Sequence, residues 1–500
     1  MARKVPLVLW IAVPLAFVLY FYRLSAVGLI GPDEPRYASI AREMARSGDW
    51  ITPRLWGEGW FEKPPLLYWM SGIAFRCGLG PEIAPRLPVA LMAAAFLVFY
   101  WWILNREFGV RTACFATMIL GTCAGWIGFS QVGVTDLPMT ATFSAAMLLA
   151  LPWVEKRDSR FLPIASALLG FAVLGKSGVP IVLSLPLLWN WNSGDNRSVD
   201  RAGNSRTLWQ RYCGLRGLSP KLLVPFLIVA VPWHVLCYLR NGSIFPYTLF
   251  VQHQVQRMTS DALQHTQHWW YYLPVFCGLL LPWTPILFLA ARRAAIRDPR
   301  RRFLMVWVLF GLVFFSAAPN KLPGYVLPLL PAAAVLMALG LEETDSAGSW
   351  LAACAFLLVT ILLAAPILPQ AVAVGLTRAP RPPFQWIWLL PVAVAALVFT
   401  LDRRSHRLAA VFSLAAASAC AVVYVKQTAT SELDRLASAR PVWRQIADRT
   451  DQVCANRLKR DFRYGLNYYS GVPLPECAVH PEPLQIVQRA GMPPETVDLH

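Results

Sequence analysis

Charge is thin in this chain, and what there is leans one way. Asp, Glu, Lys and Arg make up only 15% of the 500 residues, with 28 acidic against 46 basic. So low a charged fraction excludes a disordered, solvent-swollen protein. Histidine is scarcer still, seven in all, and no HxxxH or HxH spacing occurs. The ten cysteines include no CxxC and no metal-ligand spacing, which excludes zinc fingers and thioredoxin-like redox sites. No internal repeat is visible, which weakens a transporter built from repeated halves. No helix-turn-helix, zinc-finger or RNA-binding pattern accompanies the net charge of +18, so nucleic acid is not the partner.

What fills the chain instead is apolar. Hydrophobic residues reach 56%, tryptophan alone numbers 21, and mean hydropathy is +0.45. The apolar runs recur throughout, so a soluble enzyme with one anchor is excluded. About thirteen spans of bilayer length can be read, roughly at 7–29, 85–104, 112–130, 137–154, 161–175, 179–191, 221–240, 270–290, 303–318, 324–341, 349–369, 385–401 and 408–426. The first lacks a small-residue cleavage site and reads as retained. The fold class implied is an all-α polytopic membrane protein, and residues 1–426 form its membrane domain. From 427 to 500 charge rises and apolar runs shorten, which suggests a small α/β domain. There SELDRLASARPVWRQIADR reads as an amphipathic helix, and DQVCANRL and RYGLNYYSG read as strands.

Orientation follows from the basic residues. Arg3 and Lys4 precede the first span. Clusters at Arg106/Arg111, Lys156–Arg160, Arg197–Lys221, Arg292–Arg302 and Arg403–Arg407 then mark every second connection. This positive-inside pattern puts the N-terminus in the cytoplasm and, after an odd number of spans, the C-terminal domain outside. The connection at 341–349 is acidic and gives this pattern no support. Cys454 and Cys477 would both lie outside, where a disulfide can persist.

Against this background the first outer loop, residues 30–84, is conspicuous. GPDEPRYASIAREMARSGDWITPRLWGEGWFEKPPLLYWM packs Asp33-Glu34, Glu62-Lys63 and several arginines between two apolar segments. It reads as two interfacial helices, Glu34–Arg46 and Pro65–Phe75. Arg36 and Arg54 offer a basic surface for phosphate-bearing lipids. Pro64 and Pro65 stiffen the turn after Glu62-Lys63, so that both side chains are presented together to a metal or a phosphate. Asp33 precedes Pro35 at the rim of the first span and is a catalytic candidate. Glu34 is either a second one or an acidic first turn.

Other polar residues fall on the same outer side. Asp136 follows Thr135 at a span start, and Lys176 sits in LGKSG, where glycines allow close backbone approach. Lys321 and Tyr325 belong to the turn NKLPGY, and His253 could complete a metal site with Glu62. Together these outline one outward-facing site gathered from several connections.

The motifs DEPRYASIAREMARSGDWITPRL, FEKPPLLYW, VTDLPM, LGKSGVP, VQHQVQRM, KLPGYVLPLLPA and YGLNYYSG, in that order, resemble the bacterial lipid-carrier-dependent glycosyltransferases of the GT-C class. The resemblance is greatest to the lipid A 4-amino-4-deoxy-L-arabinose transferases and more distant to the protein O-mannosyltransferases. It implies a GT-C-like fold with about thirteen transmembrane helices, two juxtamembrane helices and a small periplasmic domain. It also implies a monomer in the bacterial inner membrane that moves a sugar, aminoarabinose or another pentose or hexose, from a polyprenyl (undecaprenyl) phosphate carrier to lipid A or another membrane acceptor, with inversion. Asp33, Lys63, Asp136, Lys176 and Tyr325 fall on the matching positions; joined to the residues read above, Asp33, Glu34, Lys63 and Asp136 would be catalytic, and Arg36, Arg54, Lys176, Lys321 and Tyr325 would bind the carrier. Glu62 and His253 would hold a divalent metal, zinc or magnesium. Three departures stand out: LGKSG has Ser where Gly is common, KLPGY has Gly where His is common, and VQHQVQRM lacks the usual acidic residue before His. The rivals are transfer to a glycan or protein hydroxyl and, in another class, transport of the lipid-linked sugar.

Overall fold

The computed structural model describes residues 7–187, 220–255, 267–291, 298–489 and 491–498. Arg3, Lys4, the basic stretch 197–219, His265 and residues 292–297 lie outside the described residues. Long apolar runs must satisfy their backbone groups internally, and here they do so as helices. In chain order these are α1 (Leu7–Tyr20), α2 (Asp33–Ser47), α3 (Leu66–Arg76), α4 (Ile83–Phe108), α5 (Val110–Thr122), α6 (Ala124–Ser130), α7 (Asp136–Leu149) and α8 (Leu162–Lys176). After them come α9 (Pro220–Asn241), α10 (Tyr272–Leu279), α11 (Pro299–Ala317), α12 (Leu330–Glu342), α13 (Gly348–Val374), α14 (Leu390–Arg403) and α15 (Arg407–Ala437). The protein is a multi-pass membrane protein.

Among the described residues seven helices are long and apolar enough to cross a bilayer, or up to nine if two bent pairs each count as one span. The difference from thirteen has local causes. The α5–α6 pair bends by 58° and the 269–290 segment by 109°. Helix α8 has only 15 residues, and α11 carries three arginines in its first turn. Helix α7 is enclosed on all sides, whereas α9 turns Ile228 and Leu239 outward, as a lipid-facing helix does.

At one end of the bundle the basic connections meet. Arg300 pairs with Glu155 at 3.2 Å and Asp298 at 3.1 Å, and Arg301 pairs with Glu343. Arg407 pairs with Asp402 at 2.7 Å and donates to the Leu341 and Thr344 carbonyls. The acidic 341–349 connection therefore sits among basic ones, with Glu343 paired to Arg301 and the backbone of 341–345 accepting from Arg407.

The other end carries the first loop. In α2 the carboxylates of Asp33 and Glu34 occupy the first turn and Arg46 the last, each matched to the helix dipole. Its Tyr37, Ile40, Ala41 and Met44 recur at helical spacing and are buried. Helix α3 follows Pro65 and buries Leu66, Leu67, Tyr68 and Ser71. The expected interfacial helices thus form within a residue or two of their expected limits. Between them, β1 (Arg54–Leu55) and β2 (Glu58–Gly59) make an antiparallel ribbon.

Helix α1 stops at Tyr20 rather than running to residue 29. Its end is held by Lys426 of α15, whose ammonium donates to the carbonyls of Leu19 (3.0 Å) and Tyr22 (2.8 Å) and to the Gln131 side chain (2.8 Å). These are the orphan carbonyls that a helix C-terminus exposes.

Glu34 fixes the loop to the bundle. Only 1% exposed, it takes a two-pronged ion pair from Arg86 of α4, both bonds at 2.7 Å. It also accepts the backbone N–H groups of Gly133 (2.8 Å) and Ile30 (3.0 Å). Arg86 in turn donates to the carbonyls of Leu24, Val27 and Gly28.

The C-terminal segment differs from expectation at two points. The amphipathic helix breaks at Ser438, giving α15 and a short α16 (Arg440–Ile446). RYGLNYYSG lies in a helix, α17 (Arg460–Ser470), not a strand. Its buried residues are Phe462, Gly465, Leu466, Asn467 and Tyr468, and the 3–4 spacing from Phe462 to Gly465 and Leu466 outweighs the strand preference of the tyrosines. Strands β3 (Val453–Asn456) and β4 (Leu484–Val487) pair in parallel on either side of α17 in the chain, and β5 (Glu495–Asp498) pairs antiparallel to β4. Cys454 and Cys477 form a disulfide. The segment rests on the first loop and the chain leading into it: Arg440 donates to the carbonyls of Ser25 and Ala26, Tyr468 to that of Pro81, and Arg42 of α2 to that of Tyr468.

Removing one partner of the Glu34–Arg86 pair strands a buried charge, at a cost of about 3–5 kcal/mol. Arg86→Met is expected to lower the midpoint of thermal aggregation of the detergent-solubilised protein sharply, and Lys156→Met, on an exposed side chain, to leave it unchanged.

Candidate active site

The sequence-derived residues sort into two adjoining clusters and several outliers. The first cluster is built on the start of α2 and the turn before α3. Arg36, with 3% of its side chain exposed, pairs with Asp33 at 2.5 Å and with Glu62 at 3.0 Å. Glu62 also pairs with Lys63 at 3.3 Å. Asp33 keeps 46% of its side chain exposed, which leaves it the accessible carboxylate of the set. Burial alone would lower the Arg36 pKa, but Glu62, with Tyr37 and Asp33, carries it above its ordinary value. Arg36 is therefore a fixed positive charge. Tyr68, fully buried beneath this cluster, is pushed well up by burial and by Glu62, so its hydroxyl stays protonated.

The second cluster joins three separate connections. Asp136, at the start of α7, accepts from Lys176, at the end of α8, at 2.6 Å, and the Lys176 ammonium lies 4.7 Å from the centre of the Tyr325 ring. Gly324 makes this possible: a Cβ there would fall 2.5 Å from Asp136 Oδ1 and 2.9 Å from Phe129. The other glycine singled out, Gly175, faces the Met139 backbone of α7. It serves helix packing rather than ligand approach. Ser177, which follows Lys176, takes a left-handed φ of 53° and ends α8 sharply.

Two contacts bring the clusters together. Phe61 and Leu66, flanking Glu62-Lys63, share a buried apolar group with Leu174, two residues before Lys176. Glu34, adjacent to Asp33, holds the Gly133 N–H three residues before Asp136. The Asp136–Lys176 pair therefore adjoins the cluster of Arg36, Glu62 and Lys63, in which Asp33 is the open carboxylate.

The remaining candidates make their contacts outside these two clusters. Glu34 has both oxygens engaged by Arg86 and backbone N–H groups, so it anchors the loop and has no face left for a reactant. Arg54 donates to Gly57 at 3.2 Å within its own ribbon. Lys321 donates to the carbonyls of Gln267 (3.0 Å) and Ala318 (2.5 Å), and burial lowers its pKa. It shapes the turn before Tyr325. His253 lies on the helical turn Tyr247–Val255, and its side chain is outside the described residues. Among the described residues no group of three or more His, Cys, Asp or Glu converges on a point. Glu62 already lies between Arg36 and Lys63, so a divalent cation beside it would meet two positive charges. As placed between Arg36 and Lys63, Glu62 fits a metal poorly.

Sequence reading missed Trp60 and Tyr464, whose rings lie 5.3 and 5.6 Å from the Arg36 guanidinium. It also missed Tyr272, which exchanges hydrogen bonds with the Leu322 backbone. An aromatic among many carries no signal without its contacts.

The sequence profile of the dolichyl-phosphate-mannose-protein mannosyltransferase family matches residues 62–193, which contain both clusters apart from Asp33, Arg36 and Tyr325. The undecaprenyl phosphate-α-4-amino-4-deoxy-L-arabinose arabinosyl transferase of Aeromonas hydrophila is 30% identical over 378 residues, 71% of this chain and 65% of that protein. Its counterpart from Aeromonas salmonicida is 31% identical over 68% of this chain and 62% of that protein. The match thus spans just under two thirds of these relatives. The crystal structure of ArnT from Cupriavidus metallidurans bound to undecaprenyl phosphate covers 98% of this chain and 87% of its own, with a TM-score of 0.75 at 27% identity. The chain resembles the GT-C lipid-carrier glycosyltransferases. Its apo-state counterpart from the same organism gives a TM-score of 0.73 at 26% identity. The GT-C fold expected from the motifs is therefore the fold observed.

Gly324→Ala is expected to push Asp136 away from Lys176. Overpacking of this kind costs about 1–3 kcal/mol, so the midpoint of thermal aggregation of the detergent-solubilised protein should fall. In an Asp136→Ala background the same change should cost less, and melting curves of the four proteins would check this.

Proposed function

We propose that this protein transfers a sugar from an undecaprenyl phosphate carrier to lipid A, or a similar membrane acceptor, at the periplasmic face of the bacterial inner membrane. The observation that carries this reading is the half-exposed Asp33 beside Arg36, Glu62 and Lys63, with the Asp136–Lys176 pair adjoining, on a chain that resembles an undecaprenyl phosphate-bound structure over nearly its whole length. The gathering of basic connections at the opposite end supports an orientation with the N-terminus in the cytoplasm and the 427–500 domain in the periplasm. In this reading the spans number about thirteen and the short and bent helices complete them. The relatives' names point to aminoarabinose as the sugar.

The chemistry follows from the charges. The C1–O bond to the carrier breaks, its electron pair goes to the phosphate, and an acceptor oxygen bonds to C1 from the opposite face. Lys63 and Lys176 stabilise the departing polyprenyl phosphate at a partly desolvated site, where a fixed charge acts more strongly than in water. Asp136 holds Lys176 in place over Tyr325. A lipid A phosphate is already anionic and needs no base, so Asp33 would orient it; a hydroxyl acceptor would give its proton to Asp33. With no second carboxylate placed as a nucleophile, single displacement with inversion is the consistent course.

A second reading, transfer to a protein or glycan hydroxyl, is favoured by the match to the protein mannosyltransferase family. Mass spectrometry of lipid A and polyprenyl-phosphate lipids from cells with and without the protein separates the two. The expected outcome is a lipid A species heavier by one sugar, absent in the null and reduced at least about 100-fold with Asp33→Asn. Unchanged lipid A with accumulated carrier-linked sugar would favour the hydroxyl acceptor, and no change in either pool would overturn transferase activity.

A divalent metal at Glu62 and His253 is not needed in this scheme, because lysines meet the phosphate charge. Transfer is expected to survive dialysis of the purified protein against a chelator. Loss of activity restored by zinc or magnesium would return Glu62 and His253 to a metal site.

A further inference from the structure

Arg36 poses a problem that the first loop does not solve alone. Its guanidinium is almost wholly buried and joins Asp33 to Glu62, yet its Nε has no hydrogen-bond partner. A guanidinium carries five N–H donors, and one left unfilled in a desolvated place needs compensation. Here that comes from aromatic faces. The guanidinium carbon lies 5.4 Å from the ring centre of Tyr37, 5.3 Å from Trp60 and 5.6 Å from Tyr464, all within cation–π range. Tyr37 and Trp60 belong to the first loop. Tyr464 belongs to α17, in the C-terminal segment.

Tyr464 is itself held from several sides. Trp56, on the turn after β1, stacks on it with ring centres 5.7 Å apart at 27°, and Arg460 lies 5.4 Å from its centre. The same face of α17 approaches Asp33: burial, reinforced by the Asp33 charge, raises the pKa of Asp461 against the opposing pull of Lys459 and Arg460. The helix cannot drift away easily, because Arg42 holds the Tyr468 carbonyl and Tyr468 holds Pro81.

We propose that Tyr464 is a positioning residue of the active site, walling in the Arg36 guanidinium so that Asp33 and Glu62 are held in register. The C-terminal segment then completes the reacting cluster. This rests on the transferase reading for its kinetic test, and a second, activity-independent readout accompanies it.

The experiment uses the full-length protein in proteoliposomes, with Tyr464→Phe, Tyr464→Leu, Arg36→Lys and the Tyr464→Leu/Arg36→Lys double variant. Tyr464→Leu keeps an apolar side chain and loses the π face. It is expected to lower kcat about ten- to thirtyfold with little change in KM for the carrier-linked sugar. Tyr464→Phe should fall no more than about twofold. The double variant should be no worse than Arg36→Lys alone, since both changes remove one interaction. Independently, phenylglyoxal labelling of Arg36, followed by mass spectrometry, should quicken roughly tenfold in Tyr464→Leu and not in Tyr464→Phe. Arg86 labelling, unchanged, certifies the fold.

Multiplicative kinetic effects in the double variant, or a Phe variant as impaired as the Leu one, would overturn the proposal. So would Arg36 labelling that ignores residue 464, even if the wild-type protein moved no sugar at all. Absence of sugar transfer with Arg36 labelling that responds as expected would overturn only the transferase reading and leave the positioning role supported.

Discussion

A carboxylate with 1% exposure cannot stay charged without partners, and Glu34 takes all of its own from elements that must meet for the site to exist. Arg86 comes from α4, the Ile30 N–H from the end of the first connection, and the Gly133 N–H from the turn before α7. Through the same guanidinium, three carbonyls between Leu24 and Gly28 are tied down. Asp33 is covalently next to this knot and Asp136 lies three residues beyond its far edge. The position of both catalytic candidates is therefore a consequence of one buried ion pair. Such pairs add little net stability, since desolvation offsets the attraction, but they are intolerant of losing one partner. That intolerance suits a role in specifying geometry.

Much of this was legible in the sequence, and the reasons are physical. The helices of the first loop show themselves through proline at their starts and apolar residues at 3–4 spacing, both local signals. Asp33, Glu62, Lys63, Asp136 and Lys176 stand out because charge beside a bilayer is costly and sparse. What was hidden depends on contacts between distant segments. Glu34 looks like Asp33 in sequence, and only its burial against Arg86 separates an anchor from a reactant. Lys321 carries a charge like Lys176, but carbonyls rather than a carboxylate surround it. Helix α17 was read as a strand because two adjacent tyrosines favour strands locally, and the packing of Phe462 and Leu466 decides otherwise.

The two ends of the bundle use charge differently. At the end bearing the basic connections, Arg300, Arg301 and Arg407 are matched by Glu155, Asp298, Glu343 and Asp402, so the interior of that end is close to neutral. At the site end, Arg36, Lys63 and Lys176 meet Asp33, Glu62 and Asp136, one carboxylate for each cation. What differs there is access: Asp33 keeps 46% of its side chain exposed, while Arg36 is buried among aromatic rings.

Lys426 and Arg440 give this arrangement an order in time. The carbonyls at the end of α1 are held by Lys426, and those of Ser25 and Ala26 by Arg440. During synthesis the first loop therefore emerges hundreds of residues before the side chains that fasten its base. Until the last span is threaded, the loop bearing Asp33 is held by Arg86 but lacks the Lys426 and Arg440 contacts beneath it. A ribosome that stops before residue 426 leaves a membrane-bound fragment whose first loop is assembled without those two late fasteners.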